Sequence, residues 1–458
     1  MAVKNDELKN GLLDPSSFNP AHHIFNVLNR IQQSQLFHII RRMPKGGILH
    51  IHELAMCSAD YLVSLTYWTD LWQRTSNNSN HTEIKEVRFS RKQPENPKGI
   101  NGSSDNDSMW QLVKDVRTKM GASIYDKQLR ALFTLYDPES NPTTQFKDVN
   151  EVWDTFEAIF NRIKSILSYK PVLRAYYKRA FRDMYEDGVQ YVEIRSSLSQ
   201  VQDLDGNYYT EDETIQIYVD VIKEFKLEYP LFIGAKFIYS KNKLVPNEKI
   251  RTYFEKVQLL YAQYPQLVVG FDLVGQEDKA NPLKSYAEQI LHLPDDLKPY
   301  FHAGETNWFG SIDENLIDAV LLGSRRIGHG FALPKHPKLI DFVKSNDIAV
   351  EVNPISNQVL KLVNDMRNHP AAVLFAQNVP IVISSDDPSF WEVLPLSHDF
   401  YFTFLGIASQ DTDLRTLKQL ALNSILYSSL EGFEKLEALM KWQMKWDTFI
   451  DDLIRSHS

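Results

Sequence analysis

The amino-acid sequence predicts an α/β chain closed into a (β/α)8 TIM-type barrel, on three observations. Eight short apolar runs of strand length recur along the chain, and stretches with apolar residues at helical spacing separate them. Alternation of this kind builds parallel sheets from βα units. The residues able to do chemistry sit at the ends of those runs, near 50, 302, 329 and 386, and parallel barrels form their sites at the C-terminal ends of the strands. A doubly wound open sheet is the alternative arrangement of the same units.

Residues 1–18 read as a loose arm. Ile24, Val27, Leu28, Ile31, Leu36, Ile39 and Ile40 mark 19–43 as a helix, which Pro44 and the Gly46-Gly47 pair end. Residues 1–45 thus form an N-terminal arm and helix, a candidate dimerisation element, ahead of a barrel over 46–458. The first strand covers about 47–52, Gly47-Ile48-Leu49-His50-Ile51-His52. Residues 56–72 resume helical spacing through Tyr61, Leu62, Leu65, Trp68 and Leu71. The stretch 73–109 is rich in Asn, Ser and Lys and reads as a partly disordered surface insertion. A helical segment near 109–120 belongs with it, so the insertion occupies about 73–123.

Helical spacing returns over 150–187 and stops near Gly188, before a strand from Val189 to Ile194. A helix at 211–227, a strand from Leu231 to Tyr239, a helix at 247–263 and a strand from Leu267 to Leu273 follow. Helices near 283–291, 313–322, 337–345 and 368–377 precede strands at Tyr300 to Gly304, Arg326 to His329, Ile348 to Val352 and Val379 to Ser384. Two helices in 413–456 end the chain, and Leu439, Trp442, Trp446, Phe449 and Leu453 give the second an apolar stripe to lay on the barrel's outside.

On a strand, residues two apart share a face, so His50 and His52 project side by side. Two such imidazoles are two-thirds of a catalytic zinc triad. Alone, a His-x-His pair is more often core or surface, Asp-Asp-Pro a turn, His-Gly a loop and Glu305 a helix start. Their common placement at strand ends decides otherwise. His50, His52, His302 and Asp386 are the expected ligands of one Zn²⁺, a donor set of nitrogens and one oxygen that suits this ion, with a position left for water. Glu305, three residues after His302, is placed to shuttle a proton, His329 to orient or deprotonate that water, and Asp387 to bind substrate.

Apolar residues make up 43% of the 458, enough for a substantial core. Fifty basic residues against 59 acidic ones give −9, which withholds global electrostatic support from a nucleic-acid partner. No run approaches the roughly eighteen apolar residues of a spanning helix, so no membrane segment is expected. Cys57 stands alone, which excludes an internal disulfide, and Met1 to Glu7 lacks the apolar stretch of a leader. Both favour a reducing, cytoplasmic compartment. Four Asn-X-Ser/Thr sequons at Asn77, Asn80, Asn101 and Asn106 speak instead for a glycosylated loop, unless chance in an Asn/Ser-rich segment explains them.

The set His-x-His, His302-Ala303-Gly304-Glu305, Gly328-His329-Gly330 and Ser384-Ser385-Asp386-Asp387-Pro388 resembles adenosine deaminase, within the metal-dependent amidohydrolases. Met43 to Gly46, Val269 to Gly275, Arg326 to Leu333 and Val352 to Leu362 extend the likeness to the adenosine deaminase-related growth factor (adenosine deaminase 2) branch, from about residue 19 to the C-terminus and weakest across 73–123. The resemblance implies hydrolysis of the 6-amino group of adenosine or 2′-deoxyadenosine. Glu305 then protonates purine N1, His329 assists the attacking water, Asp387 binds N7 and the Gly275 N–H meets N3. It also implies Glu53 at the ribose, Trp153 in the substrate pocket, an extracellular location and a homodimer built on N-terminal helices. No residue pattern supports a receptor or glycan partner. Ala55, Ile124 and Asn242 replace a glycine, an acidic ribose contact and a histidine of the branch, and bear on affinity and sugar preference. The alternatives are the same chemistry on a modified purine nucleoside and a non-catalytic, growth-factor-like binding protein.

Overall fold

The computed structural model describes residues 2–78, 81–96 and 108–457. Its centre is a ring of parallel strands: β1 (Gly46–His52), β5 (Val189–Ser196), β6 (Gly234–Asn242), β7 (Val268–Val274), the short pair β8 (Lys298–Pro299) and β9 (His302–Ala303), then β10 (Arg326–His329), β11 (Ala349–Val352) and β12 (Ile381–Ile383). Hydrogen bonding runs β1-β5-β6-β7-β8 and β9-β10-β11-β12. The two arcs join where one strand is interrupted. Pro299 has no N–H to give, and His302 turns its N–H to the Asp272 carboxylate at 3.0 Å rather than to a neighbouring backbone. The other junction pairs Ile51 with Asp386, through His52 N–H to the Asp386 carbonyl at 3.0 Å and Asp386 N–H to the His50 carbonyl at 3.1 Å. The ring is therefore closed, as expected of a TIM-type barrel.

The strands are buried along nearly their whole length because helices cover their outer faces. Long crossover helices lie where helical spacing placed them, at Val149–Leu167, Lys170–Glu186, Glu211–Glu228, Asn247–Gln263 and Pro337–Ser345. Leu414–Leu426 and Gly432–His457 close the bottom of β1: Gly47 N–H donates to Ser424 Oγ at 2.7 Å, and Trp442 Nε1 donates to the Pro44 carbonyl at 3.1 Å.

Three expectations need correction. The arm is a helix, Ala2–Leu13. It lacks an apolar stripe and is held by polar contacts: the Lys4 ammonium donates to the carbonyls of Ser409, Gln410 and Thr412, and Glu7 accepts from Ser34 and Tyr401. The helix expected over 19–43 is two, Ile24–Ile31 and Gln35–Arg42, because Ser34 caps the second by accepting the Phe37 N–H. The insertion is not a disordered loop in its described part. It is an antiparallel sheet of β2 (Leu71–Asn78), β3 (His81–Phe89) and β4 (Ser108–Leu112). Its inward residues on β2 are Leu71, Gln73 and Thr75, so alternation is present but half polar; Gln73 is satisfied by the Tyr125 hydroxyl. Of the four sequons, the backbone of Asn77 is in β2, and Asn80, Asn101 and Asn106 lie outside the described residues.

Candidate active site

The C-terminal mouth of the barrel gathers the marked residues. His50 and His52 point the same way from β1, as period two requires. The His50 Nδ1 lies 2.8 Å from Glu351 Oε2, and the His302 Nδ1 lies 2.6 Å from Asp272 Oδ2. Each carboxylate fixes the proton on Nδ1, so both Nε2 atoms turn lone pairs inward. These two atoms are 3.1 Å apart with no proton to share. Asp386 Oδ1 lies 3.2 Å from His50 Nε2 and 3.1 Å from His52 Nε2, while Asp386 Oδ2 accepts from Ser356 Oγ at 2.7 Å.

His329 completes the cluster. Its Nε2 is 3.8 Å from Asp386 Oδ2 and its Nδ1 is 3.4 Å from Glu305 Oε1. His50, His302, His329 and Asp386 bring ligand atoms within 4.8 Å of one another, and His52, Asp386 and Asp387 form a second such group. The backbone at His329 (φ 63°) and Asp386 (φ 59°) is left-handed, a strain that aims both side chains inward. Lone pairs of two imidazoles at 3.1 Å with a carboxylate oxygen beside them repel one another unless a cation lies between. Donors on a tetrahedral zinc with bonds of about 2.0–2.1 Å sit at comparable separations. The donor set fits the ion.

Charge around the cluster is sharply divided. Burial raises the Asp386 carboxyl, but the His50 and His52 imidazoles against its Oδ1 and the His329 ring outweigh it and hold the group well below the usual range. Its neighbours go the other way. Burial, and then the Asp386 and Glu277 carboxylates, lift Glu305 well above the ordinary value; burial and Asp386 do the same to Asp387. Burial also brings His302 down to about 4 and His329 well below the normal imidazole range. Asp386 is thus held low, Glu305 and Asp387 are raised, and the His302 and His329 imidazoles are lowered.

The cavity above these groups has a volume of about 290 Å³. Glu305, Asp387, Gly275, Trp153, Glu53 and His52 all reach its wall, whereas His50 and His329 lie beneath. Gly275 has φ +105°, and a Cβ there would come within 2.7 Å of Asn242 Oδ1. Glu53 is already engaged: Oε1 accepts from Tyr177 at 2.6 Å and Tyr218 at 3.0 Å, and Oε2 accepts from Ser196. Ile124 is 59% exposed on the helix Ala122–Ala131 and does not reach the cavity. Ala55 fits a right-handed turn, Glu53–Ala55, where no glycine is required.

Sequence reasoning missed the layer under the site. Arg195 donates to Asp272 at 2.8 Å and to Glu351 at 2.7 Å, so one guanidinium ties together the two carboxylates that orient His302 and His50. Arg326 donates to the other oxygen of Glu351 and to Glu193. Burial opposes the Glu351 charge, but Arg195, Arg326 and His50 outweigh it and keep the group well below its ordinary range. The signal was available: Glu193, Arg195, Asp272, Arg326 and Glu351 are charges inside otherwise apolar strands. Glu277 was also missed. Its carboxylate accepts the N–H groups of Gly304 and Glu305 at 3.0 and 2.7 Å and so fixes the turn that presents Glu305. Arg195→Met leaves two buried carboxylates without their shared cation, and is expected to lower the unfolding free energy by about 3–5 kcal/mol, read from urea unfolding at neutral pH.

A closed β/α barrel with buried imidazoles and a carboxylate converging at its mouth defines a hydrolase of the amidohydrolase class. Among solved structures the chain is similar to an amidohydrolase from Burkholderia ambifaria with bound Zn, at a TM-score of 0.62 and 17% identity over 92% of this chain and 94% of that one. The adenosine deaminase family model matches residues 131–442. An adenosine deaminase of Lutzomyia longipalpis is 51% identical over 98% of this chain and 86% of the relative. Adenosine deaminase 2 of Homo sapiens is 40% identical over 99% and 87%. This chain belongs to the adenosine deaminase family, and it is an enzyme of that kind.

Proposed function

We propose that the chain hydrolyses the 6-amino group of adenosine and 2′-deoxyadenosine, giving inosine or 2′-deoxyinosine and ammonia, with one Zn²⁺ per chain. The observation that carries this reading is the placement of Glu305 and Asp387 in the wall of the cavity over the His50, His302, His329 and Asp386 group, where burial raises both carboxyls. Purine N1 and N7 are both acceptors on the ring edge that carries the amine, and each needs a donor. Glu305 delivers its proton to N1 as the ring is attacked at C6, and Asp387 donates a hydrogen bond to N7. The Gly275 N–H meets N3, Trp153 covers the substrate, and Glu53 forms the wall beside the ribose.

His50, His52, His302 and Asp386 would hold the zinc, and a bound zinc ion supplies a Lewis acid that makes water nucleophilic near neutral pH. His329, unprotonated through burial, orients the water and accepts its proton. The amidohydrolase from Burkholderia ambifaria, of the same fold, binds Zn, which supports the choice of ion. Among the described residues no helix is long and apolar enough to cross a membrane. An extracellular location and a homodimer belong to this proposal and rest on the family likeness alone.

The test is turnover of adenosine by purified protein, followed as ammonia released, alongside elemental analysis for zinc. Deamination with one zinc per chain is expected; a protein that holds zinc and leaves adenosine untouched overturns the reading.

A further inference from the structure

We propose that Glu157, fixed in place by Asn242, reads the sugar of the substrate by accepting a hydrogen bond from one of its hydroxyls. The inference rests on the proposed nucleoside chemistry and deepens it. In a purine, N3 and N9 are bonded to the same carbon, so the ring edge that meets Gly275 is the edge from which the sugar leaves. Asn242 stands against Gly275, which has no Cβ to push it away. Its amide is oriented: Oδ1 accepts from the Leu244 N–H at 2.8 Å, so Nδ2 is left to donate, and it donates to Glu157 Oε1 at 2.9 Å. Glu157 Oε2 accepts no hydrogen bond from any described residue, and the carboxyl lines the cavity.

The competing carboxyls are accounted for. Both oxygens of Glu53 are taken by Tyr177, Tyr218 and Ser196. Glu305, Asp386 and Asp387 serve the reacting edge of the ring. Ile124, at the position of an acidic contact in the related branch, is outside the cavity. Glu157 is thus the carboxyl with a spare acceptor on the sugar side. It lies one helical turn after Trp153 on Val149–Leu167, so ring cover and sugar acceptor come from the same face of one helix. Burial raises the Glu157 pKa, as it would for an acceptor set into a wall to await a donor.

The experiment compares kcat/KM of the zinc-loaded wild type with Glu157→Gln and Asn242→Ala on adenosine and its 2′-, 3′- and 5′-deoxy analogues. A hydrogen bond to a charged group is worth roughly tenfold to a hundredfold. Glu157→Gln is expected to lose that factor on adenosine, mainly through KM. It should lose nothing on the one analogue that lacks the hydroxyl being read, and Asn242→Ala should repeat the pattern. Melting temperature and zinc content establish that each variant is folded and loaded. An unchanged Glu157→Gln, or an equal loss on every substrate, overturns the assignment. A wild type inert toward adenosine and all three analogues sinks the nucleoside reading instead.

Discussion

Glu305→Gln is expected to cut kcat by roughly 10²–10⁴-fold, the range for loss of a positioned general acid, with zinc content and KM close to wild type. Glutamine has the shape of the protonated carboxyl and can still donate a hydrogen bond, but it cannot hand over a proton. Burial and the Asp386 and Glu277 charges disfavour the ionised form of the wild-type group and raise its pKa well above the ordinary value. The turn that carries it is tied to Glu277 through backbone N–H groups, which the substitution leaves alone. Binding and catalysis should therefore separate cleanly in steady-state kinetics. A variant as fast as the parent removes Glu305 from the chemistry.

The second large effect is expected at His302. His302→Ala takes away an imidazole whose Nε2 faces that of His50 at 3.1 Å, and strips the Asp272 carboxylate of one of its two charged or polar side-chain partners. Loss of bound zinc and a fall in rate on the order of 10³-fold or more follow, since the ion supplies several kcal/mol of stabilisation. Elemental analysis and turnover read the two together. His329→Ala sharpens the result. His329 lies in the larger group of candidate ligand atoms although it is assigned to proton handling; a variant that keeps its zinc but turns over slowly upholds that assignment, and one that arrives metal-free makes His329 a ligand.

The barrel was legible because its strands are buried on both faces and read as short apolar runs. Its site was legible because the chemistry lies at strand ends, where His50, His52, His302, His329 and Asp386 interrupt or close those runs. Other parts were hidden for physical reasons. The helix Ala2–Leu13 is recruited by a buried ammonium and a carboxylate and not by an apolar stripe, so no periodicity announces it. The sheet of the insertion turns Gln73 and Thr75 inward, which defeats a search for apolar alternation. Arg195, Arg326 and Glu351 stood in plain view, but pairing between residues far apart in the chain is not written in any local pattern. Glu157, on a helix, gains its meaning only from Asn242 at the end of β6, which stands in turn against Gly275 just past β7.

The junction of Ile51 with Asp386 has a bearing on how the enzyme comes into being. The first and last strands of the hoop meet there, and each brings candidate metal donors, His50 and His52 from one and Asp386 from the other, to the same rung. A metal held there as proposed would act as a rivet through the final joint: a nascent chain would hold no complete set of donors until its eighth unit had docked. Because a ligand that binds only the folded form stabilises it, the affinity for such an ion would also be the grip with which the two ends of the ring hold each other.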